Sequence, residues 1–203
     1  MGRIAGVTTE QTEQRLIDAA AAVFARRGYD GASIGEITSE AGLSSGAVYS
    51  RFGSKADLFA ATLRARSPRE VERLLGDGSV DAADLLARRG AQLDARDPHD
   101  GDLLMEAMVA ARRHPEVATL LVELFLEREG RLAELVRRSQ AAGTLEPDSS
   151  PEAVARFVLM LALGSMLTAT LALPATEPHE WSTLIDGLVD RFRTDLPTKA
   201  SPR

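Results

Sequence analysis

The 203-residue sequence contains no cysteine, which excludes disulfide scaffolds, thiolate metal sites and cysteine nucleophiles. Its three histidines, His99, His114 and His179, lie far apart along the chain, so a histidine-built metal centre is not expected. Lysine is scarce, because Lys55 and Lys199 are the only lysines among 24 basic residues. The net charge of −6 argues against a uniformly basic nucleic-acid binder and still permits a local basic tip. We therefore predict neither a metal nor a cofactor.

Motifs of catalysis, membrane insertion and secretion are also missing. No nucleophile–base spacing, phosphate loop or Glu-x-x-His pair indicates an enzyme. The longest uncharged stretch, residues 157–176, is short for a membrane span and includes polar side chains. We interpret it as a helix buried inside an assembly and expect no membrane association. Because no apolar signal core follows residues 1–7, the protein is expected in the cytoplasm.

What the sequence does contain is helical periodicity along most of its length, without a period-2 strand pattern. Capping boxes at Thr8 and Ser33 open the first two helices. Gly28 and Gly42 are natural helix ends. The predicted fold class is all-α, with helices over about 9–27, 33–41, 44–52, 54–66, from Ser67 onward, 81–94, 102–113, 115–142, 151–173 and 180–194, and with a frayed tail over 197–203.

Composition divides the chain into two parts. Residues 1–66 carry a net charge of +1, so the remainder carries −7. The first sixty residues also hold five of the nine aromatic side chains, namely Phe24, Tyr29, Tyr49, Phe52 and Phe59. We predict a three-helix N-terminal domain over 1–53, a connecting helix over about 54–66, and a helical domain over 67–203.

The second and third predicted helices fit a helix-turn-helix. Gly42 allows a tight turn between them, and Val48 lies on the apolar face of the third helix. Residues 43–56 carry two positive charges, Arg51 and Lys55, and no negative one. In this motif the second helix enters the DNA major groove by its N-terminal end. The pattern therefore predicts a DNA-contacting tip on an otherwise acidic protein.

The same stretch resembles the tetracycline-repressor (TetR) family, and the specific resemblance covers about residues 12–64. The family implies a dimeric, ligand-responsive regulator, usually a repressor, that binds double-stranded operator DNA. The residues that carry the resemblance read Ile37-x-x-x-Ala41-Gly42-Leu43-Ser44-x-Gly46-x-Val48-Tyr49-x-x-Phe52-x-Ser54-Lys55-x-x-Leu58.

By this resemblance Tyr49 and Lys55 hold phosphates and Ser33 caps the second helix against a phosphate. A core position for Tyr49, a solvated charge for Lys55 and a plain cap for Ser33 are the alternatives. Arg51 replaces the histidine of many family members; it can read guanine or bind phosphate, and we expect no acid nearby to pair with it. The predicted DNA-binding set is Ser33, Ser44, Ser45, Gly46, Ala47, Tyr49, Ser50, Arg51 and Lys55.

The C-terminal part is expected to bind a small-molecule effector. Aliphatic and thioether side chains suit a permissive, mostly apolar pocket, whereas the shortage of aromatics argues against a cage for quaternary cations. An ordinary core is the alternative for each residue. The predicted pocket residues are Leu104, Met105, Met108, Leu121, Leu124, Phe125 and Met160.

A homodimer is predicted through the last two helices. The first of them carries a stripe of small residues at spacings of 3, 4 and 3, and the second offers an apolar face. Two such helices from each subunit would form a four-helix bundle. Burial of these helices within their own subunit is the alternative. The predicted interface consists of Ala162, Ser165, Ala169, Ala172, Leu184 and Leu188. For the function, the alternatives to a ligand-responsive repressor are a DNA-binding adaptor without effector and, against the missing catalytic motifs, an all-helical enzyme.

Overall fold

The computed structural model describes residues 8–66, 81–93 and 102–193, without the side chain of Arg89. The helix predicted from Ser67 onward and the tail over 197–203 lie outside the described residues. Within the described ranges the chain forms helices and no strand, which confirms the all-α prediction. The helices are α1 Thr9–Gly31, α2 Ile34–Ala41, α3 Ser45–Phe52, α4 Lys55–Arg66, α5 Ala82–Gln92, α6 Asp102–Ala111, α7 Pro115–Ala141, α8 Pro151–Thr170 and α9 Pro178–Asp190.

Helix ends follow the predicted caps closely. Thr8 and Gln11 form a complete capping box at the start of α1, and the Ser33 hydroxyl accepts a hydrogen bond from the Glu36 backbone N–H at the start of α2. Gly28 is non-helical with a φ of 68°, so the regular part of α1 ends where predicted. Gly42 adopts the left-handed conformation that ends α2.

The chain divides into two compact units. The first comprises residues 1–69 and 100–125, and the second residues 70–99 and 126–203. The helix α6 therefore packs in the same unit as α1–α4, whereas sequence composition predicted a boundary between residues 53 and 67. The difference arises because α6 packs on α1 despite the separation in sequence. The functional division into domains remains a prediction.

The first unit has an aromatic core. Phe24, Tyr29 and Phe59 are buried, and the Phe59 ring lies 4.5 Å from that of Phe24 and 5.1 Å from that of Tyr29, centroid to centroid. Leu16 on α1 and Val48 on α3 are also fully buried. The three rings pack α1 against α4, the helix that follows the helix-turn-helix in the chain.

The second unit is built on aliphatic packing among α5, α8, α9 and the C-terminal part of α7. Its buried cluster includes Leu85, Leu135, Val154 and Ile185. Two polar contacts join the helices: the Ser139 hydroxyl accepts from the backbone N–H of Ala82 at 2.9 Å, and the Trp181 indole N–H donates to the Gly90 carbonyl at 2.8 Å. Close approach of α9 to α5 thus occurs at Gly90.

We predict that Gly90→Ala destabilises the protein. The new Cβ would lie 2.6 Å from the Cγ2 methyl of Ile185, a β-branched side chain whose rotamer a helix restricts. Overpacking of this kind costs roughly 1–3 kcal/mol, more than the ~1 kcal/mol of helix propensity gained. Urea unfolding followed by circular dichroism measures the change. Gly130→Ala is the matched control, since a Cβ there meets nothing within 4 Å and should stabilise α7. Equal effects of both substitutions would refute the close approach.

Candidate DNA-binding surface

The outward face of α3 carries most of the predicted DNA-binding side chains. Val48 is fully buried on the inner side, whereas Tyr49 is 58% exposed, which rules out the core position that was its alternative. Ser44, Ser45, Gly46 and Ser50 are exposed as well. A helix held from behind by one buried valine therefore presents a phenol and several hydroxyl groups to solvent.

The N-terminal end of α3 has free hydrogen-bonding capacity. Ser44 is the N-cap residue, but its hydroxyl makes no capping hydrogen bond. Ser50 donates to the Ala47 carbonyl at 3.1 Å within the helix. Backbone N–H groups at a helix start lack intrahelical partners and favour anions. This end can therefore bind a phosphate through backbone amides and the Ser44 hydroxyl.

Lys55 occupies a different environment from the predicted one. Its ammonium donates to the carbonyl oxygens of Tyr29, at 2.8 Å, and Ala32, at 3.1 Å. It also lies 4.4 Å from the centroid of the Tyr29 ring. The side chain is thus not the solvated surface charge considered as its alternative. An ammonium has three N–H donors, so one remains for a phosphate.

Arg51 has an acidic partner, which corrects the sequence-based expectation that no acid lies near it. Its Nε donates to Glu13 Oε2 at 3.1 Å, and Nη2 lies 3.0 Å from the same oxygen. Nη2 also donates to the Thr9 carbonyl at 2.8 Å. Glu13 is 38 residues away on α1. A search for nearby charges along the sequence could not find it.

A polar cluster anchors the turn between α1 and α2 to α6 and the start of α7. The Tyr29 backbone N–H donates to Glu106 Oε1 at 2.7 Å. Asp30 accepts hydrogen bonds from Arg113 and from His114 Nε2, and the His114 ring lies 4.9 Å from that of Tyr29. Sequence reasoning missed Glu106 and Arg113, because their partners lie 77 and 83 residues away.

The cluster shifts two pKa values. Burial raises the pKa of Tyr29 to about 12, and the carboxylates of Glu116, Asp30 and Asp57 add to this effect. The hydrogen bond from His114 lowers the pKa of Asp30, assisted by the positive charges of His114, Arg113 and Lys55. The Tyr29 hydroxyl is therefore neutral and Asp30 is ionised at neutral pH.

We predict that Asp30→Asn removes a pH-dependent part of the stability. The folded-state pKa of Asp30 is lowered, so its stabilising effect is present above the unfolded pKa of about 4 and is lost as the pH falls through the folded value. Urea unfolding from pH ~5 downward should show wild type and Asp30→Asn converging. Asp186→Asn, at an exposed position of α9, is the control. A constant gap between Asp30→Asn and wild type over that range would contradict the prediction.

The predicted effector-pocket residues fall in both units. Leu104, Leu121 and Leu124 are buried in the first unit, where Met105, Met108 and Phe125 are half-buried. Met160 belongs to the second unit and is 64% exposed. The first six residues therefore share a unit with the helix-turn-helix, and the pocket itself remains a prediction.

Three residues of the small-residue stripe lie on the inner side of α8. Ser165 is buried and Ala162 and Ala169 are half-buried, whereas Ala172 is exposed and follows the end of the helix with a φ of 51°. Val154, a member of the second unit's buried cluster, lies on the same side. The stripe is thus at least partly covered within its own subunit, the alternative considered above.

A different set of side chains forms the outward apolar face of α8 and α9. Phe157, Met160 and Leu167 on α8 are exposed, as are Leu184 and Leu188 on α9. Of the described residues, α8 is also the one helix long and apolar enough, by length and composition alone, to cross a membrane. Core helices of other proteins pass the same test, so it does not distinguish a membrane from a protein partner.

Comparisons with known proteins agree with this geometry. Residues 16–62 match the family described as bacterial regulatory proteins, tetR family. The chain is 25% identical to the transcriptional regulator UidR of Escherichia coli K12 over 156 residues, which cover 76% of this chain and 80% of UidR. It is 32% identical to the transcriptional repressor AcnR of Corynebacterium glutamicum over 81 residues, covering 40% of this chain and 43% of AcnR.

A solved structure extends the likeness over nearly the whole chain. A putative TetR-family regulator from a Rhodococcus species superposes with a TM-score of 0.72 at 19% identity, covering 91% of this chain and 100% of that one. Fold and surface together define a DNA-binding transcriptional regulator with a helix-turn-helix. The chain is similar to TetR-family regulators, and the match to the family itself covers residues 16–62.

Proposed function

We propose that the protein is a dimeric repressor that binds a palindromic operator through α3 and is released by a small, mostly apolar effector. The observation that carries the proposal is the exposed face of α3, with the Tyr49 phenol and, at the helix N-terminus, a Ser44 hydroxyl that makes no capping hydrogen bond. The relative named as a repressor, AcnR, supports repression. Such a regulator acts in the cytoplasm, where the DNA lies.

The proposed contacts divide into phosphate and base contacts. The Tyr49 hydroxyl, the Ser44 hydroxyl and the remaining N–H of Lys55 hold phosphates, which set the register of α3 on the duplex. Ser45, Gly46 and Ala47, in the first turn of α3, come close to base edges in the major groove. The Ser33 hydroxyl accepts from Glu36 and keeps its own O–H for a phosphate.

We predict that Tyr49→Phe weakens binding to every duplex by the same factor. One lost phosphate hydrogen bond costs roughly 0.5–1.5 kcal/mol, or about twofold to twelvefold per subunit. The hydroxyl is neutral, so the salt dependence of the DNA affinity should not change.

Lys55→Met provides the contrast. It should flatten the slope of log affinity against log salt concentration by about 0.9 per subunit. It should also destabilise the fold, since the Tyr29 and Ala32 carbonyls lose their donor.

Fluorescence anisotropy with a duplex selected by the wild-type protein, and with its scrambled version, measures both variants across a salt series. Urea unfolding of the same samples separates binding from stability. If Tyr49→Phe weakens the selected duplex and leaves the scrambled one unaffected, Tyr49 reads a base and its proposed role is wrong.

The proposed dimer uses the outward face of α8 and α9. The exposed side chains Phe157, Met160, Leu167, Leu184 and Leu188 would be covered by the same helices of a second copy. An obligate interface of this type buries on the order of 2,000 Å² or more. The dimer would hold two copies of α3 about one DNA turn apart. The stripe of Ala162, Ser165, Ala169 and Ala172 is the competing contact surface.

We predict that Met160→Arg yields a monomer that no longer binds operator. Its side chain is 64% exposed, so arginine fits the isolated subunit and disrupts only an interface. Ala169→Arg should instead lower the free energy of unfolding, because Ala169 is half-buried. Sedimentation equilibrium at micromolar concentration gives the oligomeric state. Val122→Arg, at a 56% exposed position on α7, is the matched control. A dimeric Met160→Arg together with a folded, monomeric Ala169→Arg would favour the stripe.

Effector release is proposed to act through α6 and α7. Glu106 on α6 and His114 just before α7 contact residues 29 and 30, at the turn that leads into α2. A ligand among Leu104, Met105, Met108, Leu121, Leu124 and Phe125 would displace α6 and thereby this turn. For a hundredfold release, the effector must discriminate between the two states by about 2.7 kcal/mol.

A further inference from the structure

We infer that Arg51 is a positioning residue, held by Glu13 against α1, and that it does not read a base. The inference rests on the proposed DNA binding by α3 and concerns the one cation that α3 contributes. It changes which groups of the recognition helix are left to read sequence.

The guanidinium of Arg51 is engaged along one edge. Nε and Nη2 both face Glu13 Oε2, at 3.1 and 3.0 Å, and Nη2 also donates to the Thr9 carbonyl at 2.8 Å. A bidentate guanine contact needs two parallel N–H groups from one edge of the guanidinium. The Nε–Nη2 edge faces Glu13 and the second N–H of Nη2 faces the Thr9 carbonyl, so Arg51 would have to release at least one partner before either edge could bind both O6 and N7.

The surroundings of Arg51 favour its ion pair with Glu13 over release of the guanidinium to DNA. The Arg51 side chain is 27% exposed, whereas Arg66, which forms an ion pair with Asp18 on the same helix α1, is 52% exposed. A partly desolvated pair is screened less by salt than an exposed one. The bond to the Thr9 carbonyl adds a second anchor in the first turn of α1. Two contacts thus tie the last turn of α3 to the first two turns of α1.

This tie has a geometric role. Val48 anchors α3 on its inner side, and Gly53 with a φ of 79° turns the chain directly after it. Without the Arg51 contacts, the C-terminal end of this eight-residue helix would rest on the core packing and this turn alone. The pair therefore fixes the angle at which Ser44, Ser45 and Tyr49 meet the DNA.

The test compares Arg51→Lys, Arg51→Gln and Glu13→Gln in the full-length protein. Lysine keeps the charge and can reach Glu13, but it lacks the fork required for guanine. We expect Arg51→Lys to keep operator affinity within about twofold, and Arg51→Gln and Glu13→Gln each to lose about twofold to fivefold. The double variant Arg51→Gln/Glu13→Gln should lose no more operator affinity than the single variant that binds operator more weakly. Base preference at every operator position should stay unchanged.

The control pair is Arg66→Gln and Asp18→Asn, which breaks an ion pair between α4 and α1 without touching α3. Affinities are measured at low temperature, where all variants are folded, with an operator selected from random duplexes by the wild-type protein. The control variants should keep operator affinity, so a loss confined to residues 13 and 51 reports the position of α3 rather than general stability.

Two results would overturn the inference. One is an Arg51→Lys variant as weak as Arg51→Gln, with relaxed preference at one base pair. The other is a Glu13→Gln variant that binds operator at least as well as wild type. Failure of the wild-type protein to select any sequence would refute the proposed function instead. In that case a double-mutant cycle of urea unfolding decides the inference, since independent effects of Arg51 and Glu13 would refute the tie to α1.

Discussion

Two backbone carbonyls at the turn between α1 and α2 need a hydrogen-bond donor, and the ammonium of Lys55 supplies it. Buried or half-buried carbonyls without a partner are costly, so this contact locks the start of α4 to the end of α1. The helix α3 lies between α2 and α4 in the chain, and its placement follows from theirs. Glu106 and His114 bind the same turn from the other side. The orientation of α3 thus depends on polar contacts at the end of α1, outside α3 itself.

Features set by near neighbours in the chain could be predicted from the sequence, and those set by packing could not. Capping by Thr8 and Ser33 acts within three residues, and the turns at Gly28 and Gly42 depend on local backbone sterics. The same reasoning located α3 and its exposed face. The partner of Arg51 is 38 residues away and becomes adjacent only in the folded chain. Charge patterns along the sequence carry no information on such contacts.

The helix α8 shows why an apolar pattern alone cannot orient a helix. It is apolar on nearly every side, so no polar face marks the direction of solvent. Small residues at helical spacing therefore looked like a site of close approach between subunits. In the folded chain Ser165 is buried on that side, whereas Phe157 and Leu167 are exposed on another. Burial of single residues, rather than their size, separates the two faces.

Trp181, whose indole N–H donates to the Gly90 carbonyl, lies in a different unit from the two tyrosines, so spectroscopy can report on each unit. Trp181 is the sole tryptophan and lies in the second unit, whereas both tyrosines, Tyr29 and Tyr49, lie in the first. Indole emission depends on local polarity and hydrogen bonding, so it monitors the junction of α5 and α9. Tyrosine absorbance monitors the unit that carries the helix-turn-helix. Opening of either unit can therefore be followed separately, without an extrinsic label.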